Sequence, residues 1–244
     1  MGKIFGLLLL GSIATVLAAG SAGGEKGRVA GARARHGKII AQKFGDAGLP
    51  YPAREIFLRW LKREAVFELW AREDRGRFVL VTSFPILASS GGPGPKRRQG
   101  DRQVPEGFYE IDRFNPESLF HLSLGLNYPN AADRILARGS DPGGDIFIHG
   151  KDVSIGCAPL GDDAIEQLYL AALDTRARGQ ARIPVHVFPA RMHGAEWDAF
   201  AAEHPALVPF WAQLQPAYDA FERDRRPPAF TVATDGRYRV APAR

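Results

Sequence analysis

One cysteine in a chain that begins like an exported protein is the feature that most restricts how this sequence can fold. Met1, Gly2 and Lys3 lead into an apolar run from Ile4 to Leu17, and the small residues Ala18, Ala19, Gly20, Ser21 and Ala22 follow. That order of charge, apolar stretch and small-residue exit is the form of a secretory signal. The run is shorter than the roughly 20 residues a spanning helix needs, and Gly11, Ser12 and Thr15 dilute it, so a cleaved signal over residues 1–22 is expected. Oxidising compartments favour paired cysteines, yet Cys157 has no second cysteine to pair with. The fold must therefore rest on a core and not on a disulfide, and 244 residues with 45% hydrophobic content suffice for one sizeable core.

Residues 23–50 are rich in Gly, Ala, Arg and Lys, with few large apolar side chains, and read as a flexible basic spacer. Residues 51–244 then form a single domain. The stretch Glu55 to Glu73 fits either a helical stripe of Ile56, Phe57, Trp60 and Leu61 or a two-sided strand, and periodicity does not decide between them. Phe78 to Thr82, Phe108 to Ile111 and Leu119 to Leu126 carry strand-type residues between Gly- and Pro-rich turns, which predicts a β meander in the first half. Asn130 to Arg138 predicts a short helix capped by Asn130 and stopped by Gly139, and Asp145 to His149 a short buried strand. From Asp163 the spacing of Ile165, Leu168, Tyr169, Ala172 and Leu173 predicts a helix, with Asp163 and Glu166 as its capping box. A strand at Val185 to Phe188 precedes helices at Ala195 to Glu203 and Leu207 to Arg223, the second holding Pro216. Phe230 to Val232 and Tyr238 to Val240 flank Asp235-Gly236, a dipeptide suited to a hairpin turn.

The formal charge is +5, gathered at Lys26 to Lys43, at Lys96, Arg97, Arg98 and Arg102, and at Arg223, Arg225 and Arg226. This excess suits an anionic polymer as partner and is too scattered for nucleic acid. In Ile146-Phe-Ile-His-Gly-Lys-Asp-Val-Ser-Ile-Gly-Cys157 a histidine ends an apolar strand and the cysteine follows across a glycine-containing loop. Such a loop can bring thiol and imidazole together as a thiolate and imidazolium pair, the arrangement that activates a cysteine nucleophile. Gly156 leaves the backbone N–H groups around Cys157 open to a developing oxyanion. The competing readings are a cysteine that packs as a small hydrophobe and a structurally satisfied His149. Two ligands are too few for zinc, no phosphate loop or Gly-x-Ser-x-Gly elbow occurs, and no metal or cofactor is expected.

His149-Gly150 followed by Ser154-Ile-Gly-Cys157 resembles the active-site motif of the L,D-transpeptidase (YkuD-type) catalytic domains. Gly100-Asp-Arg-Gln-Val-Pro-Glu-Gly107 resembles the same family's upstream Gly-Asp and Thr-Pro-x-Gly segment. The YafK-like branch is similar in Gly94-Pro-Lys96, Asn127-Tyr-Pro-Asn130 with Asp133, Phe188-Pro-Ala-Arg191, Phe210-Trp211, Tyr218-Asp219 and Phe221-Glu222. The likeness runs from about Arg54 to Val240.

This resemblance implies a mainly β, α+β fold with peripheral helices, sandwich-like in its catalytic region, and favours strands joined at Lys62 to Ala65 over a helix. It implies Cys157 as nucleophile, His149 as base oriented by the Gly150 carbonyl, and Ser154 and Gly156 as supports of the loop. Arg102, Gly107 and Tyr109 are the candidate substrate-binding residues. The pattern departs from the wider family at Ile155, where a second histidine is usual, and at Ala158 and Pro159, where an Arg or Asn is. Arg102 is the candidate substitute for that missing cation, against the competing and stronger reading of a solvated loop arginine. The implied partners are peptidoglycan stem peptides, or a lipoprotein bound to murein, in the periplasm. Transfer to an amine and hydrolysis by water share the same nucleophile and base, and both stay open; a catalytically idle murein-binding module is a third reading, against which the intact His149, Gly156 and Cys157 argue.

Overall fold

The ambiguous stretch from Glu55 to Glu73 forms two antiparallel strands, β1 (Glu55–Leu61) and β2 (Val66–Arg72), with Glu55 opposite Arg72 and Leu61 opposite Val66. Nearly every residue of both strands is buried, including the paired charges Arg59 and Glu68, so the alternation of buried and exposed residues that would mark a strand is lost. In this computed structural model, which describes residues 22–241, β3 (Val79–Pro85) pairs with β2 and completes the meander. The sheet continues through β4 (Gly107–Asn115), β5 (Ser123–Leu126), β6 (Phe147–His149), the two-residue β7 (Ala158–Pro159) and β8 (Ile183–Phe188). Its order is β3-β2-β1-β8-β4-β5-β6-β7, with β8 parallel to β1, β7 parallel to β6 and the other pairs antiparallel. A separate hairpin joins β9 (Phe230–Val232) to β10 (Tyr238–Val240), and Gly236 turns it at φ 83°. The fold is α+β.

The main core lies between this sheet and the helices, around Ile56, Leu58, Leu69, Leu124, Ile148, Leu168 and Val185. A second cluster gathers Leu61, Phe108, Phe188, Trp211, Leu214 and Tyr218. Each such side chain contributes about 1.5–3 kcal/mol on burial, which is how a chain without disulfides holds together.

The helix α1 (Ala22–Asp46) overturns the expectation of a flexible spacer over 23–50. Its Ala, Arg and Lys residues are good helix formers, and Val29, Ala32, His36, Ile40 and Phe44 recur at three- and four-residue steps. Ala32, Ile40 and Phe44 are fully buried where α1 packs against α3 (Asp162–Ala177). The expected signal falls on residues 1–21, outside the described residues, and on the first residue of α1.

The helix α2 (Ala131–Leu136) is capped by Asn130 in a full capping box with Asp133. The box expected at Asp163 and Glu166 does not form. The N-cap of α3 is Gly161, and Asp163 and Glu166 instead face α1, meeting His36 and Arg35. The helices α4 (Ala195–Glu203) and α5 (Val208–Asp224) follow as expected, with Pro216 inside α5.

Candidate active site

The sheet edge made by β5, β6 and β7 carries the residues that the sequence singles out. His149 ends β6 opposite Pro159, so Cys157, just ahead of β7, lies two residues along the neighbouring strand. Strand alternation puts Cys157, Pro159 and His149 on one face, with Cys157 displaced by about 7 Å along the strand direction. Cys157 and His149 line the same open cavity of about 500 Å³. Three segments close it: Asn115 to Ser123 after β4, Asp145 to Phe147, and Val153 to Cys157.

Local hydrogen bonds shape the cysteine loop. The Ser154 hydroxyl accepts from the Gly156 N–H at 3.1 Å and donates to the Cys157 carbonyl at 2.8 Å. Gly156 sits at φ 128°, and a Cβ there would lie 3.0 Å from the Gln103 carbonyl, so the position admits little but glycine. Because Ser154 engages the Gly156 N–H, that group is not an open oxyanion donor, contrary to expectation. Among the described residues the Cys157 N–H makes no hydrogen bond.

The imidazole of His149 is buried and its Nδ1 lies 2.6 Å from the Gly150 carbonyl. A carbonyl only accepts, so Nδ1 carries the proton and Nε2 is left as the acceptor. Gly150 in turn donates its N–H to the Phe120 carbonyl at 3.0 Å, and the Phe120 ring lies 4.7 Å from the His149 ring. A Cβ on Gly150 would meet Asp162 Oδ1 at 2.5 Å and that same carbonyl at 2.8 Å.

Thiol and imidazole make no hydrogen bond to each other among the described residues. The Cys157 Sγ accepts from the Phe147 N–H at 3.4 Å and donates to the Asp145 carbonyl at 3.6 Å. Burial pushes the thiol up from its ordinary value; the Phe147 N–H and the charge of Lys96 oppose this, and Asp145 reinforces it. Burial pushes His149 down, partly offset by the Gly150 hydrogen bond. Both shifts favour a neutral thiol beside a neutral imidazole, and not the resting ion pair expected from spacing.

The substrate-binding candidates lie elsewhere. Gly107, at φ 145°, and Tyr109 are buried, and a Cβ on Gly107 would meet the Tyr238 hydroxyl at 2.5 Å and the Tyr109 hydroxyl at 3.2 Å. Neither residue lines the cavity that holds Cys157 and His149, so the fold does not bring these two candidates to it. Arg102 is exposed and absent from the cavity lining, although its neighbour Gln103 touches Gly156. The charged side chains on the lining are Asp145 and, when protonated, His149. Sequence reasoning missed the wall formed by Ser118, Leu119 and Phe120, because Leu119 was expected to open a strand that in fact begins at Ser123; in the structure Leu119 is 87% exposed at the cavity rim. Among the described residues no group of three or more His, Cys, Asp or Glu could hold a metal ion.

The chain is similar to known proteins along much of its length. Residues 63–187, half of the chain, match the family model described as the L,D-transpeptidase catalytic domain, YkuD. The chain is 35% identical over 188 residues to YafK of Escherichia coli strain K12, a protein provisionally named as an L,D-transpeptidase, covering 76% of this chain and 74% of YafK. The same figures hold for YafK of Escherichia coli O157:H7. Among solved structures, a variant of the helical cell shape determining protein Pgp2 from Campylobacter jejuni aligns at 21% identity and a TM-score of 0.46, over 75% of this chain and 62% of that one. Bd1075 of Bdellovibrio bacteriovorus aligns at 20% identity and a TM-score of 0.39, over 68% of this chain and 60% of that one. This chain thus spans less than two thirds of both solved structures, and overlaps this loose add nothing to the assignment. The matched domain and the YafK identity, which together take in the histidine, the glycines and the cysteine of the cavity, establish that the chain belongs to the L,D-transpeptidase (YkuD) catalytic-domain family.

Proposed function

We propose that the chain is a periplasmic cysteine enzyme that acts on peptidoglycan stem peptides at meso-diaminopimelate, through a thioester on Cys157. The observation that carries this reading is the shared cavity of Cys157 and His149, with Nδ1 tied to Gly150 and Nε2 left to take a proton. His149 Nε2 removes the thiol proton as sulfur attacks the carbonyl carbon of diaminopimelate. The Cys157 N–H supports the oxyanion. The carbon–nitrogen bond then breaks, and imidazolium returns the proton to the leaving amine. An acceptor amine, losing its proton to His149, attacks the thioester and restores the thiol.

A second reading keeps every residue and changes the acceptor to water, which would make the enzyme a murein amidase able to release a lipoprotein from peptidoglycan. The half-buried state of Cys157 and the exposed flanks at Leu119 and Ile155 favour it, because water reaches the thioester. The test is incubation with donor tetrapeptide and a D-amino acid, with products followed by mass spectrometry. Exchange product that rises with amine concentration supports transpeptidation; hydrolysed or lipoprotein-released product at every amine concentration replaces it with hydrolysis.

A further inference from the structure

We propose that α1 positions the base, and that Arg28 is the positioning residue through which it acts; this rests on the reading of His149 as base. The helix lies outside the residues that the family model matches, yet it reaches the cavity wall. The two N–H bonds of Arg28 Nη1, one of them shared, reach three backbone carbonyls of the wall segment, Pro116 at 3.1 Å, Ser118 at 2.8 Å and His121 at 3.0 Å. One guanidinium therefore gathers the turn that carries Leu119 and Phe120.

The far end of the same turn is held from α3. His121 has φ 73°, a left-handed conformation that a residue with a Cβ seldom keeps without outside restraint. Its Nε2 lies 2.6 Å from Glu166 Oε1, and Glu166 is also bonded to Arg35 of α1. Between these two anchors sits Phe120. Its ring lies against His149, and its carbonyl accepts from the Gly150 N–H, whose own carbonyl fixes Nδ1 of the base. The connection from Arg28 to the base is thus a run of direct contacts: guanidinium to turn carbonyls, Phe120 to Gly150, Gly150 to His149. Releasing the guanidinium frees the turn, and the ring and carbonyl that set the imidazole move with it.

The test compares the mature chain with Arg28→Ala and Arg28→Lys, using donor tetrapeptide and a D-amino acid, with kcat and KM resolved and melting temperatures measured. A displaced base costs rate more than binding, so Arg28→Ala is expected to lower kcat about 10-fold with KM changed less than about twofold. Arg28→Lys, which keeps a donor at that place, is expected to recover part of the loss while both variants stay folded at the assay temperature. An unchanged kcat, a loss confined to KM, or a loss that only tracks the unfolded fraction would overturn the proposal. His149→Ala assayed in parallel separates the two claims: if it still turns over, the base assignment itself fails, whatever Arg28 does.

Discussion

Two histidines in the same sheet are equally buried, each with 2% of its surface exposed, and the structure gives them opposite situations. His186, on β8, is enclosed by the rings of Phe57, Phe108, Phe188 and Phe230, and its Nδ1 has no hydrogen-bond partner among the described residues. Burial, with Arg59 adding to it, pushes its pKa down to about 3. His149 has a carbonyl on one nitrogen and a cavity on the other side of the ring. Burial alone does not mark a functional histidine. What marks it is a fixed tautomer with the free nitrogen facing space that a substrate can enter.

The largest effect that would break this comparison is on turnover. Cys157→Ala and His149→Ala should each lower the acylation rate at least about 10³-fold, as expected for groups acting as one unit. Circular dichroism and melting curves should stay close to wild type. Wild-type activity in His149→Ala would place His149 beside His186 as a packing residue, and wild-type activity in Cys157→Ala would remove the thiol from the mechanism.

The next effect is on stability. The unfolded chain binds a proton at His186 near pH 6.5, whereas the folded chain does not until about pH 3. The unfolded state therefore holds the extra proton throughout that window, and stability falls as pH falls, by up to about 1.4 kcal/mol per pH unit. His186→Leu should remove that part of the slope in denaturant titrations between pH 6.5 and pH 4 and leave activity within about twofold. A slope that survives the substitution would mean that other groups carry the acid sensitivity.

A smaller effect sharpens the contrast from the other side. In the proposed mechanism His149 acts as a base only when neutral, and burial lowers its pKa, so the acid limb of kcat/KM for acylation should be centred below the ordinary histidine value of about 6.5. An acid limb centred above pH 6.5 would mean that the imidazole is more solvated, or more strongly paired with an anion, than its buried position beside Gly150 implies.

The same contrast explains what could be read before the fold was known. Strands β3 and β4 were legible because Phe78, Val79, Val81, Phe108 and Ile111 are strand-type residues set between turn formers, whereas β1 and β2 stayed ambiguous until the family resemblance favoured strands. Cys157 and His149 were legible because few residue types perform their chemistry and the glycines around them mark a tight loop. The helix α1 was not, since its buried stripe includes Ala32 and His36 and becomes apolar in effect only against α3. Phe120 was missed for a related reason: its contact with His149 joins segments distant in the chain, and no local pattern records it. Asp163 and Glu166 had capping-box spacing, but the Arg35 guanidinium and the His121 ring offered Glu166 stronger partners than a backbone N–H.

The central claim is that one thiol carries the acyl group, and trapping that adduct tests it most directly. Wild type and Cys157→Ala are each incubated with a carbapenem and, separately, with isolated muropeptide, then examined by intact-mass and peptide-mapping spectrometry. The account predicts one acyl adduct per chain on the peptide containing Cys157, and none in Cys157→Ala. An adduct on another residue, or the same adduct in Cys157→Ala, would contradict it.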